Sequence, residues 1–202
     1  MAARQRGVLI LASGSPRRRE ILRQLGIEHE VVTSGVEEPP HAGEAPAQYA
    51  RHLAGLKAAE VSSRLSPARA GAWVLGADTI VVVDDEVLGK PLDDADAVRM
   101  LMCMSGRAHR VLTAVSVHQA GRDDSRVIDV ETSVRFRAFD RETAERYVAT
   151  GEGRDKAGSY AVQGLGGGLV AAVDGSPSNV IGLPAVETVL LLTEIGLLER
   201  WP

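Results

Sequence analysis

Cysteine is nearly absent from this chain. Cys103 is the only one in 202 residues, so no intramolecular disulfide framework exists and a reducing compartment fits. Its neighbours Met100, Leu101, Met102 and Met104 predict a small buried residue rather than a nucleophile. Aromatic side chains make up 3% of the chain, too few for a platform on which the bases of a single strand would stack. Positive charge is not in excess: the net charge is −4, which gives no reason to expect DNA or anionic-membrane binding as a general electrostatic effect. Any anion site must therefore be a local cluster. No apolar run is long enough to span a bilayer, and the opening MAARQRG holds no secretory apolar region. Long-period repeats, low-complexity tracts and linkers are lacking as well. The chain reads as that of a soluble cytoplasmic protein with neither a nucleic acid nor a membrane as partner.

What is present begins with 45% hydrophobic residues, ample for a core in one domain or two closely joined lobes. The stretch Val8 to Gly26 organises the rest. Val8 to Leu11 is a short apolar run that predicts a buried strand, and Ser15 stands at a helix N-cap position. Pro16 suits the first helical position, Ile21, Leu22 and Leu25 recur at helical spacing, and Gly26 is a C-terminal stop. The first turn of that helix carries Arg17, Arg18 and Arg19, where the helix dipole favours acids. Free N–H groups and clustered guanidinium forks suit a polyanion, with phosphate the obvious guest. The alternative is that the arginines fan into solvent, and Arg19 is the residue to which it applies best.

Further on, Glu30 to Thr33 reads as a strand, and Glu37 and Glu38 before Pro39 and Pro40 read as a solvated loop unless the loop returns to the arginine turn. Ala45 to Leu65 is a helix containing Lys57, whose local pattern predicts only a surface residue. Trp73 to Leu75 and Ile80 to Val83 are strand-like, with Gly76 and Ala77 leaving backbone room. Asp84 and Asp85 turn a hairpin back through Glu86 to Leu88 toward Lys90. Asp78 is the anomaly, because an unpaired buried carboxylate is costly. Either it is capped locally by Thr79 and backbone N–H groups, or it serves a metal or a water, with Lys90 as a positive partner.

Leu92 to Met104 predicts a helix, and Val111 to Val117 and Val127 to Phe136 predict strands. Arg141 to Thr150 is a helix, Leu169 to Val173 a strand, Asp174 to Asn179 a turn and Ala185 to Gly196 a closing helix. His109, placed just before a strand, has no second ligand at metal spacing, which argues against zinc. The glycine-dense stretch Gly151 to Gly168 allows close backbone approach to a ligand or a tight bend, but lacks a Walker ending. Alternating strands and helices give the α/β class.

The set Leu11-Ala12-Ser13-Gly14-Ser15-Pro16-Arg17-Arg18, Gly76-Ala77-Asp78-Thr79, Gly89-Lys90-Pro91, Ser105-Gly106-Arg107 with His109 and Thr113, Asp155-Lys156-Ala157-Gly158 with Gln163-Gly164, and Asn179 to Pro184 resembles the Maf family of nucleoside triphosphate pyrophosphatases. The resemblance spans nearly the whole chain, so residues 1–202 are expected to form a single domain of that kind. It implies an α/β fold with a twisted mixed sheet flanked by helices and two lobes around a nucleotide cleft. It further implies hydrolysis of a nucleoside triphosphate to the monophosphate and pyrophosphate with a divalent cation, magnesium or manganese, and a homodimer.

By the same resemblance Asp78 is the proton acceptor, with Lys90 and Glu38 as further catalytic groups and Glu38 and Asp78 as metal ligands. Ser13, Arg17, Arg18 and Lys57 fall on substrate-binding positions. Arg17, Thr79 and Gln163 match the residues of the dTTP/UTP-directed branch, whose substrates extend here to modified pyrimidine triphosphates, rather than the 7-methyl-GTP branch. The sequence departs from the family pattern at Gly153, at Ala161-Val162 and at Ser176-Pro177-Ser178, which bears on specificity more than on chemistry. The rival from another class is a nucleotide-binding regulator without turnover.

Overall fold

A computed structural model describes residues 4–39 and 41–201. Of the stretches read above, the first three residues of the opening segment and Pro40 lie outside them. In chain order the elements are β1 (Arg4–Gln5), β2 (Leu9–Leu11), α1 (Pro16–Gln24), β3 (Glu30–Val31), α2 (Pro46–Arg64), β4 (Trp73–Val83), β5 (Glu86–Leu88) and α3 (Asp94–Met104). They continue with β6 (Ala108–Gln119), β7 (Ser125–Phe136), α4 (Arg141–Ala149), β8 (Val170–Asp174), α5 (Pro177–Ile181), α6 (Ala185–Glu194) and β9 (Leu198–Arg200). Hydrogen-bonded neighbours in the main sheet run β3-β2-β4-β6-β7-β8 with β5 on β4, and β1 pairs with β9 in a separate ribbon. Parallel and antiparallel pairs both occur, so the sheet is mixed.

The described residues form two compact units. The first runs up to Asp78, resumes over Thr113–Val130 and takes in the chain from Gly182 on. In it β2 lies parallel to both β3 and β4, with Ile10 opposite Glu30 on one side and Val74 on the other. Ile10, Ala12, Ala58, Val61, Ala72 and Val74 close a core between these strands and α2. Gly76 explains how tightly α2 docks. A Cβ there would sit 2.3 Å from the Ala54 carbonyl oxygen and 2.7 Å from the Ala58 nitrogen, so only glycine lets the helix backbone reach the strand. Strand side chains alternate, so Gly76 and Asp78 share a face, and the face that touches α2 at Gly76 meets it again at Asp78.

The second unit comprises Thr79–Leu112 and Glu131–Ile181. Here β4 turns into β5 with Val82 opposite Val87, and Asp84 takes the left-handed conformation (φ 52°) that the hairpin requires. α3 starts where the acids predict: the Asp93 carboxylate accepts the Asp96 N–H at 2.8 Å. Phe136, Leu101, Met104 and Leu88 centre an apolar core covered by α3 and α4. Cys103, expected to be buried, is half-buried at the edge of that core and donates to the Met100 carbonyl. Burial still pushes its thiol up from its ordinary value, which keeps it a poor nucleophile.

Three other expectations are corrected. His109 lies inside β6 rather than before it, because the strand starts three residues early at Ala108. The segment read as a turn from Asp174 to Asn179 contains the start of α5, since Pro177 suits a helical first turn and Ser176 lies just ahead of it. Gly76 and Ala77 do not interrupt β4, which is continuous over 11 residues.

Candidate active site

The turn between β2 and α1 is built around Ser13. Its Oγ accepts the Ser15 N–H and an Arg18 guanidinium N–H, each at 3.2 Å. Ser15 holds the N-cap position, but its side chain makes no cap bond, and the first turn of α1 carries no acid. Those N–H groups therefore lack the side-chain acceptor that usually satisfies them. Arg18 folds back, its Nε donating to the Gly182 carbonyl at 2.8 Å. Burial pulls this guanidinium below its ordinary value, while the charges of Asp78 and Glu38 pull it up and that of Arg17 pulls it down. Arg17 is half-buried and makes no hydrogen bond or ion pair among the described residues, and Arg19 is exposed as expected.

α2 then brings Lys57 across. Its ammonium donates to Asp78 Oδ1 at 2.6 Å and to Glu38 Oε1 at 2.7 Å, with the Lys57 and Asp78 side chains only 13% and 9% exposed. The acid loop does return to the arginine turn, and Asp78 is ion-paired to Lys57, a residue whose local pattern had predicted only a surface position. Within the first unit the structure thus gathers Ser13, Arg18, Glu38, Lys57 and Asp78, with Arg17 at the same helix tip. Chemically it is a cation bridging two carboxylates beside a guanidinium, an arrangement suited to a polyanion that must react.

Three residues of this unit escaped the sequence reading. The Tyr49 hydroxyl donates to the Pro39 carbonyl at 2.8 Å, beside Glu38. Burial raises its phenol above the ordinary value, and the charges of Asp78, Glu38 and Glu44 add to that. Glu60 accepts the Gly35 N–H at 3.2 Å, and Arg64 donates to the Thr33 carbonyl at 2.8 Å. Tyr49, Lys57, Glu60 and Arg64 follow helical spacing along α2 and pin the loop that carries Glu38. A rare aromatic in an aromatic-poor chain was the only signal, and it pointed at one of the three.

Thr79, Lys90 and Gln163 belong to the second unit. Lys90 is exposed and makes no hydrogen bond or ion pair among the described residues. The motif after it is tied down, since the Gly158 N–H donates to the Gly89 carbonyl at 3.1 Å. Gly158 and Ser159 both take positive φ (68° and 59°), and a Cβ on Gly158 would crowd Val81 at 3.0 Å. Gly153, one of the departures from the resemblance named above, packs against this turn: a Cβ there would lie 2.1 Å from the Ser159 carbonyl oxygen.

The pattern described as Maf-like protein matches residues 8–195. A dTTP/UTP pyrophosphatase of Myxococcus xanthus is 50% identical over 194 residues, covering 96% of this chain and 95% of that protein. One from Alcanivorax borkumensis is 48% identical over 186 residues, 92% of this chain and 94% of that protein. A solved structure, the Staphylococcus aureus Ham1 protein, matches with TM-score 0.41 and 14% identity over 63% of this chain and 71% of that one, below the level from which a shared fold follows. A match running from the first buried strand into the last helix leaves no part of the arrangement above outside the pattern, and the chain belongs to the Maf family.

Proposed function

We propose that this protein hydrolyses dTTP and UTP, and modified pyrimidine triphosphates of the same shape, to the monophosphate and pyrophosphate. The observation that carries the reading is the Lys57 ammonium held between Asp78 and Glu38 beside the Ser13–Arg18 turn. Relatives at 48–50% identity that bear the name dTTP/UTP pyrophosphatase support it. In this reaction water attacks the α-phosphorus, the bond to the bridging α–β oxygen breaks, and pyrophosphate leaves. Asp78 orients that water and takes its proton. A carboxylate is a weak base, so positioning and charge carry most of the rate. Arg17, Arg18 and Lys57 hold the triphosphate and offset the charge that develops on it, with Ser13 fixing Arg18. By the family resemblance Lys90 is assigned to the same task, and Thr79 and Gln163 to the pyrimidine edge.

Among the described residues no group of three or more His, Cys, Asp or Glu side chains gathers as a metal cage. Glu38 and Asp78, two carboxylates within reach of one ammonium, fit magnesium or manganese. Such ions take one or two protein carboxylates and fill the remaining positions with phosphate oxygens and water. When bound, the ion supplies polarisation of the phosphoryl oxygens. Residues 1–202 are read as one working domain, acting in the cytoplasm as a homodimer, the assembly that the family resemblance implies. No helix of the described residues is long and apolar enough to cross a membrane.

Asp78→Asn tests the reaction. Pyrophosphate release should fall by about 10²–10⁴-fold while nucleotide binding is largely kept. Full turnover in that variant rejects the base, and binding without turnover in the unmodified protein would turn the reading into the regulator. A panel including 7-methyl-GTP separates the two branches of the family.

A further inference from the structure

We infer that Glu152 and Tyr147 are positioning residues for nucleobase selection, acting through the backbone on either side of Gln163; this rests on the assignment of Gln163 to the pyrimidine edge. The Gln163 side chain is exposed and makes no hydrogen bond among the described residues. Its backbone is gripped on both sides. Toward the N-terminus, the Ala161 N–H donates to the Tyr147 hydroxyl at 3.1 Å. Toward the C-terminus, the Leu165 N–H donates to Glu152 Oε1 at 2.9 Å and the Gly166 N–H to Glu152 Oε2 at 2.8 Å. The two grips are joined, because the Tyr147 hydroxyl donates to Glu152 Oε2 at 2.8 Å.

Glycines make room for this closure. A Cβ on Gly164 (φ 75°) would lie 2.2 Å from Glu152 Oε1, and one on Gly166 would lie 2.3 Å from the Ala161 carbonyl oxygen and 2.7 Å from the Tyr147 hydroxyl. Both gripping side chains come from one place, the last turn of α4 and the residue after its Gly151 stop. Burial pushes the Glu152 carboxyl up, but hydrogen bonds from Gly166, Tyr147 and Leu165 outweigh it and hold the group ionised, an acceptor only.

A polar side chain with nothing to hold inside the protein, on a backbone fixed at three points, is arranged for a guest. A thymine or uracil edge offers an N–H donor between two carbonyl acceptors. One carboxamide answers the donor and one carbonyl at once, provided that its plane is held. Cytosine presents an acceptor where uracil presents the donor, so a carboxamide free to turn over would accept either. Selectivity therefore depends on the clamp as much as on Gln163.

The test is the ratio of kcat/KM for dTTP over dCTP in Glu152→Gln, Tyr147→Phe, Gln163→Ala and the Glu152→Gln/Gln163→Ala pair, each confirmed folded by its thermal transition. The ratio should fall about tenfold or more in each single variant, and the pair should fall no further than Gln163→Ala alone. Tyr147→Phe carries the test should Glu152→Gln fail to fold. An unchanged ratio in folded clamp variants, with a fall in Gln163→Ala, overturns the clamp and leaves the base-reading assignment standing. An unchanged ratio in Gln163→Ala overturns that assignment and the clamp with it.

Discussion

At the scale of single residues, the informative ones are charged groups where charge is expensive. Asp78 was legible because an acid between strand segments needs a reason, and the arginine turn because cations oppose the dipole there. Lys57 was not, since a lysine in an alanine-rich helix has no local mark, and its partners lie 19 and 21 residues away. His109 makes a prediction at this scale. It is buried in β6, hydrogen-bonded through Nε2 to the Tyr160 hydroxyl at 2.8 Å, with the Phe136 ring edge-on at 4.8 Å. Burial lowers it from 6.5 to about 4. The unfolded chain thus binds more protons than the native state between those values, so stability is full above pH 6.5 and falls as the pH drops toward 4. The loss should reach about 3 kcal/mol from this group alone. Urea unfolding at pH 7 and pH 5 reads it, and His109→Leu should flatten the slope; an equal slope in that variant would remove His109 from the account.

At the scale of elements, the long periodic helices and strands were read to within a few residues, as were the short strands β2, β3 and β5, whose apolar runs or turns mark them, whereas β1, α5 and β9 were not. β1 and β9, of 2 and 3 residues, carry too little pattern to be seen, and their pairing is a property of the folded chain. The latch of Tyr49, Glu60 and Arg64 and the clamp of Tyr147 and Glu152 were invisible for the same reason, since each acts on backbone groups that no side-chain pattern announces. One element contact decides the site. Because α2 lies backbone to backbone on β4 at Gly76, Gly76→Ala must push the helix away or strain the strand. A loss of about 1–3 kcal/mol is expected in a denaturant titration, with pyrophosphate release falling by more than the lost stability explains. Unchanged stability would mean that α2 yields freely.

At the scale of the whole molecule, an acidic protein is asked to hold a polyanion, so its affinity must come from a few cations working against the general field. KM for dTTP should therefore rise several-fold from low to high salt while kcat moves less, and a flat KM would argue that hydrogen bonds alone hold the tail. The division of the chain has a different consequence. The boundary between units passes through β4, β6 and β7, and again between Ile181 and Gly182, so neither unit is an uninterrupted stretch of sequence. No truncation sets one free. A gene fragment ending after Asp78 would encode a sheet missing its own partners, and so the portion holding Asp78 and the portion holding Gln163 must be gained, duplicated or lost together.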